Sequence, residues 1–243
     1  MSDPAKAAGH YAILGAADWP ESRGPTCQPL ECTTMDQRPT HRTVGILIFE
    51  GVEVLDFCGP FEVFATTALP AADGSRGDRP FDVMTIAQTP GLVACTGGLL
   101  VQPNSTIADH PPLDILVVPG GHGTRREQDN FVVLDWIAAP RRWAELTTSV
   151  CTGALLLANR GLLDGRRATT HWASIDRLRK TTPAVTVLDD RRVVDEGEIV
   201  TSAGISAGID MALHLVARLH GTDVATATAR NMEYLGDWQG AAG

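Results

Sequence analysis

Thr147-Thr148-Ser149-Val150-Cys151-Thr152-Gly153-Ala154-Leu155-Leu156-Leu157 is the stretch on which the reading of this chain turns. A short β-prone run reaches a cysteine, a Thr-Gly pair turns the chain, and an Ala/Leu series without a β-branched residue continues as a buried helix. A thiol between strand and helix faces unpaired backbone N–H groups and the positive end of the helix dipole, and both favour the thiolate. A sharp strand-to-helix turn also exposes the reactive atom, and the following amides can meet developing negative charge. The competing reading of Cys151 is a small packed hydrophobe, and the rest of the chain has to decide between them.

Downstream, Ala168-Thr169-Thr170-His171-Trp172 reads as a short strand that delivers His171, followed by a helix from near Ala173 that stops before Pro183. Upstream, the buried strand Leu113–Val118 runs into Pro119-Gly120-Gly121-His122-Gly123, where glycines let backbone amides approach a ligand. Asn130 to Ala139 fits a helix. Order begins at Val44-Gly45-Ile46-Leu47-Ile48-Phe49, a continuous apolar run expected to be a doubly covered parallel strand. Asp56 follows it, just before Gly59-Pro60, which is expected to divide two helical pieces. Asp73 to Arg79 is a loop, Phe81 to Ala87 a strand, and Leu92–Thr96 with Leu99–Gln102 a hairpin turned at Gly97-Gly98. Val185–Leu188, Arg192–Asp195 and Ile199–Ser202 are further strands. Ile205–Leu219 is a helix stopped by Gly221, and Thr222 is placed to cap a last helix through Tyr234.

Strands alternating with helices give an α/β, doubly wound, mostly parallel, flavodoxin-like sheet with helices on both faces. Ligands bind such sheets beyond the carboxyl ends of the strands. Asp56, Gly120-Gly121, Cys151 and His171 all follow strands at that edge, and their convergence favours a reactive Cys151.

The 243 residues fit one large α/β domain, over 43–236, between a flexible N-terminal extension, 1–42, and a C-terminal tail, 237–243. A formal charge of −9, with basic residues only in short pairs such as Arg125-Arg126 and Arg141-Arg142, argues against nucleic acid. Five cysteines at irregular spacing suit a reducing compartment rather than a disulfide framework. Cys27 and Cys32 in the extension lack companion ligands and read as incidental thiols. With no run long enough for a bilayer and no basic-then-apolar leader, a soluble cytoplasmic protein is expected, without a membrane partner.

At this point the residues resemble the ThiJ/PfpI family of the class I glutamine amidotransferase-like superfamily, nearest its isonitrile hydratase branch. The likeness spans about Val44 to Tyr234 and rests on Leu55-Asp56 with Gly59-Pro60, Pro119-Gly120-Gly121, Ser149-Val150-Cys151-Thr152-Gly153, Gly161 through Trp172, and Gly204-Ile205-Ser206-Ala207-Gly208-Ile209-Asp210. The resemblance implies Cys151 as nucleophile and Asp56 as its acidic partner. It implies Gly120, Gly121, Thr152, Gly153 and His171 as the oxyanion and substrate-binding positions, with amides of Gly121 and Thr152 meeting negative charge. Asp rather than Glu at position 56 fits the hydratase branch. Thr152 stands where protease-like members carry His, and no downstream His-x-Glu pair of true amidotransferases is found. The family also implies a homodimer acting on a small-molecule substrate, with neither metal nor organic cofactor.

The implied reaction is hydration of an isocyanide to an N-substituted formamide through a thioimidate on Cys151, with Asp56 shuttling protons. Each residue has a plainer reading. Asp56 could be a cap or loop residue, His171 a core group covered by Trp172, Cys58 packing, His122 a solvated loop residue, and Asp210 structural. Two other functions compete: a glyoxalase or deglycase-like enzyme with His171 as base, and a ligand or redox sensor akin to the amidotransferase-like domain of AraC-type regulators. The short stretch after Tyr234 argues against appended DNA-binding helices.

Overall fold

The computed structural model describes residues 41–139 and 144–242, so the N-terminal extension with Cys27 and Cys32 lies outside the described residues. Eleven strands follow in order: β1 (Arg42–Leu47), β2 (Phe81–Ala87), β3 (Val93–Ala94), β4 (Leu100–Val101), β5 (Ser105–Thr106), β6 (Ile115–Val118), β7 (Leu146–Val150), β8 (Arg167–Ala168), β9 (Thr186–Val187), β10 (Val193–Asp195) and β11 (Ile199–Ser202). Between and after them come α1 (Val54–Thr66), α2 (Thr124–Glu127), α3 (Phe131–Ala138), α4 (Gly153–Asn159), α5 (Ile175–Thr181), α6 (Ala207–His220) and α7 (Thr222–Asn231). The main sheet has the order β10-β11-β7-β6-β1-β2-β5 and is parallel except for β10 on β11. This is the doubly wound α/β fold expected from the alternation of strands and helices.

The apolar runs explain the centre. Val44 and Ile46 through Ile48 on the β1 side, and Ile115 through Val118 in β6, are all fully buried, as strands covered on both faces must be. Register then sets the site. Val118 stands opposite Ser149 and Ser202 opposite Val150, so the chain leaves β6, β7 and β11 at one level. Gly120, Cys151 and Gly204 follow side by side.

Three expectations need correction. Helix α1 runs unbroken through Pro60, although a proline there removes one helical hydrogen bond and costs about 3 kcal/mol. Packing on α6 offsets that cost: a Cβ on Gly59 would lie 2.9 Å from Ile209 Cγ1, and one on Gly208 would lie 3.4 Å from Pro60 Cδ. Such close contact of two helices depends on those small residues. Secondly, β8 pairs only with β9, outside the main sheet, and His171 caps a 3-10 turn at Trp172–Ser174 instead of ending a sheet strand. Thirdly, Gly221, not Thr222, is the N-cap of α7. The segment after residue 236 packs on the domain: Trp238 and Ala241 are buried, and Val193 N donates to Ala241 O at 2.9 Å. Among the described residues, no helix is long and apolar enough to cross a membrane.

Candidate active site

Cys151 holds φ at 57°, and Glu233 is the one other non-glycine residue among those described with a positive φ. Such backbone costs about 1–3 kcal/mol and persists only where its surroundings impose it. Here they do. The Cys151 N–H donates to both Ser202 O and Ala203 O at 3.2 Å, and its carbonyl accepts a 2.7 Å bond from Thr170 Oγ1. A Cβ on Gly153 would stand 2.0 Å from Val118 O, so only glycine lets α4 begin this close to β6. The turn therefore presents the sulfur at the carboxyl edge of the sheet.

Asp56, in the first turn of α1, is brought to the same edge by a seam between two loops. Glu53 N donates to Gly120 O at 2.9 Å, and Gly123 N to Gly51 O at 3.0 Å. Gly120 N in turn donates to Asp56 Oδ2 at 3.0 Å, and a Cβ on Gly120 would lie 2.5 Å from Thr152 N and 2.9 Å from that same oxygen. The Asp56 carboxyl is fully buried, and its Oδ1 has no partner at hydrogen-bond geometry. Cys151 is its side-chain neighbour.

Burial dominates the electrostatics of the pair. It pushes the Asp56 carboxyl up to about 7, against the opposing pull of the Gly120 N–H and the thiol, with the charge of Glu53 adding to the rise. Burial, and then the negative charge of Asp56, pushes the Cys151 thiol up to about 12, although the Thr152 amide and hydroxyl pull the other way. The expectation of a thiolate ionised by the helix start is therefore overturned. Desolvation of a residue only 6 % exposed outweighs the favourable amide and hydroxyl of Thr152. The sulfur is held as a thiol beside a carboxyl that burial pushes up to about 7.

The other expected residues have specific places. Gly121 adopts φ of 124°, and a Cβ there would lie 2.4 Å from Glu53 N and Gly51 O. Its N–H is spent on Thr152 Oγ1 at 3.0 Å, while Thr124 Oγ1 donates to Gly121 O at 2.7 Å. The Gly120 and Gly121 amides thus brace Asp56 and Thr152 instead of pointing free into the cleft; the amide that reaches the sulfur is that of Thr152. His171 Nδ1 accepts from Ala173 N at 3.3 Å, which in a neutral ring leaves the proton on Nε2. Trp172 is 80 % exposed and does not cover His171. Asp210 is tied up by Arg192 and by the Tyr234 hydroxyl at 2.6 Å, a structural role, and burial pushes the half-buried Cys58 thiol up.

Two residues were missed. Thr170 pins the turn through its hydroxyl, and Gly204 supplies space: a Cβ there would stand 2.5 Å from His171 Cδ2 and 2.9 Å from Cys151 Sγ. A glycine two residues past the Ile199–Ser202 strand candidate was the available signal for Gly204, whereas nothing in the sequence marks one Thr of Thr169-Thr170. A cavity of about 290 Å³ opens over this centre, bordered by Cys151, Thr152, Gly121, His171, Glu53 and Ile205, with His122 and Thr124 beside them. Among the described residues no cluster of three His, Cys, Asp or Glu is placed to hold a metal.

Comparison with known proteins gives the following matches. Residues 42–218 match the DJ-1/PfpI family. An isonitrile hydratase of Pseudomonas putida is 41% identical over 193 residues, 79% of this chain and 78% of that protein. The HTH-type transcriptional regulator CdhR of Pseudomonas aeruginosa is 34% identical over 135 residues, and the match spans 56% of this chain and only 40% of the regulator. A ThiJ/PfpI family protein from Pseudomonas syringae superposes with a TM-score of 0.72 at 29% identity, covering 88% of this chain and 84% of that one. Drosophila melanogaster DJ-1beta shares the fold, with a TM-score of 0.67 at 19% identity over 81% of this chain and all of that one.

Proposed function

Since the chain belongs to the DJ-1/PfpI family, we propose that it is an isonitrile hydratase, adding water to an isocyanide to give an N-substituted formamide. The observation that carries this reading is the buried Asp56–Cys151 pair, in which burial pushes the carboxyl up to about 7 and the thiol up to about 12. An isocyanide carbon is weakly electrophilic, and a thiol adds to it only if a proton is delivered to that carbon. A carboxyl poised near neutrality both accepts and gives that proton.

In the proposed sequence Asp56 takes the Cys151 proton as sulfur bonds to the isocyanide carbon, then passes the proton to that carbon. The product is a thioimidate, R–N=CH–S–Cys151. Asp56, again a carboxylate, draws a proton from water as the water oxygen adds to the same carbon, and nitrogen takes up that proton through Asp56. The C–S bond then breaks, sulfur regains the hydroxyl proton, and R–NH–CHO leaves. Thr152 N–H supports sulfur whenever it carries charge, and His171 borders the cavity as a substrate-binding group. The reaction draws on no redox equivalent, and the resemblance that suggests it implies no metal or organic cofactor.

The likeness to CdhR supports a second reading, a non-catalytic ligand sensor. Incubation with cyclohexyl isocyanide, in parallel with methylglyoxal, separates the possibilities by NMR. A formyl signal with the isocyanide supports the hydratase; turnover of methylglyoxal alone supports a glyoxalase, and turnover of neither supports a sensor. A homodimer is proposed on family resemblance, and sedimentation measures it.

A further inference from the structure

The cavity over Cys151 carries charged side chains beside its apolar surface. Arg125 on α2 and Arg177 on α5 both line it, against Glu53 as the single acidic residue of the lining. The two guanidinium groups come from separate elements. Arg177 donates to Gln128 Oε1 at the C-cap of α2, which draws the α5 wall onto the α2 wall. The Arg125 side chain makes no hydrogen bond or ion pair among the described residues. In a chain with a formal charge of −9, two cations on one small cavity are a local reversal of sign, the arrangement that focuses an anion.

Polarity within the cavity has a direction. Glu53 acts electrostatically on Asp56, so the negative side of the cavity is the side of the reacting pair. Binding an anion's charged end there would raise the cost of every ionised state in the mechanism. The arginines belong to the walls built by α2 and α5. Both arginines are exposed; a neutral alkyl group offers them no acceptor, whereas a carboxylate matches their forked donors in parallel charge-assisted bonds. At about 290 Å³ the space lies at the small end of ligand pockets, which suits a short substrate.

From these observations we infer that the substrate of this site is a small isocyano carboxylate, held with its carboxylate at Arg125 and Arg177 and its isocyanide carbon at Cys151. This inference rests on the hydratase reading and adds the substrate class to it. The reaction keeps its balance: the isocyano acid and one water give the N-formylamino acid, and the carboxylate takes no part in bond making.

The experiment compares isocyanoacetate with its methyl ester, matched in skeleton and differing in charge, on wild type, Arg125→Gln and Arg177→Gln. A charge-assisted contact of this kind discriminates by about 10- to 100-fold. Wild type is expected to favour the acid over the ester in kcat/KM by at least about tenfold. Each variant should bring that ratio toward one, with the change in KM and not in kcat. An ester used as well as the acid, or an acid preference untouched in both variants, overturns the inference. If neither compound is hydrated, cyclohexyl isocyanide separates the two failures: its hydration keeps the hydratase reading and overturns the carboxylate class, and where it too is untouched the hydratase reading fails by itself and calorimetry with N-formylglycine and its methyl ester judges the carboxylate site. Tighter binding of the acid, lost in the double variant, sustains the site, and equal binding of the two overturns it.

Discussion

The substitution Asp56→Asn tests the electrostatics of the site without reference to any substrate. The carboxyl rises from 3.8 to about 7 on folding, because burial disfavours its charge. At roughly 1.4 kcal/mol per pH unit that rise is worth about 4 kcal/mol. The sign follows from proton counts. Between about pH 4 and pH 7 the folded protein holds the Asp56 proton more tightly than the unfolded chain, so this group's contribution to stability is greatest below the unfolded value. It is lost as pH rises, and the full cost is felt above about 7. A side-chain amide in its place does not titrate, so the stability of the variant relative to wild type should rise with pH, by about 3 kcal/mol between pH 5 and pH 8. The amide carbonyl can keep the Gly120 N–H, while the amide nitrogen occupies the unpartnered Oδ1 position. That adds a pH-independent cost of about 1–3 kcal/mol, which shifts the difference but not its slope. Guanidinium unfolding of both proteins under reducing conditions, followed by tryptophan fluorescence across pH 5 to 8, reads the slope directly. A difference that stays flat over this range would refute the assignment of Asp56 as a desolvated, neutrally titrating carboxyl.

Other outcomes follow from the same geometry. With an isocyanide substrate, kcat/KM should climb with pH to a plateau, with a midpoint near the Asp56 value of about 7, because the carboxylate form accepts the thiol proton; a rate flat from pH 5 to 9 would contradict this. Gly204→Ala puts a methyl group 2.9 Å from Cys151 Sγ and 2.5 Å from His171 Cδ2, and kcat should fall by roughly 10- to 100-fold with an unchanged circular dichroism spectrum. Thr170→Val strips the buried Cys151 carbonyl of its 2.7 Å donor, and denaturant titration should show a loss of about 1–3 kcal/mol.

Much of the fold was written locally. Val44–Phe49 and Leu113–Val118 are apolar almost without interruption because both faces of those strands are covered, and the alternation with helices leaves little choice of topology. The Val150-Cys151-Thr152-Gly153 turn was legible for a similar reason: Gly153 is forced by Val118 O, where two strands' worth of chain meet at one point. What escaped the sequence depends on distant contacts. Pro60 continues a helix because Gly208, far along the chain, lets α6 pack beside it. Burial sets the thiol's proton affinity, and the local Ser149–Gly153 sequence carries the favourable amide but not the desolvation that defeats it. The amides of Gly120 and Gly121 read as free donors until Asp56 and Thr152, from other segments, claim them.

The account stands or falls on a bond between Cys151 sulfur and the substrate carbon. The protein is mixed with methyl isocyanoacetate, quenched in acid at successive short times, and weighed intact, with peptide mapping of the modified species. One added mass equal to the whole isocyanide should sit on Cys151, then disappear as the formamide accumulates, and Cys151→Ala should show neither adduct nor product. Formamide made by Cys151→Ala at the wild-type rate, or turnover in which Cys151 carries no substrate mass at any time, would contradict it.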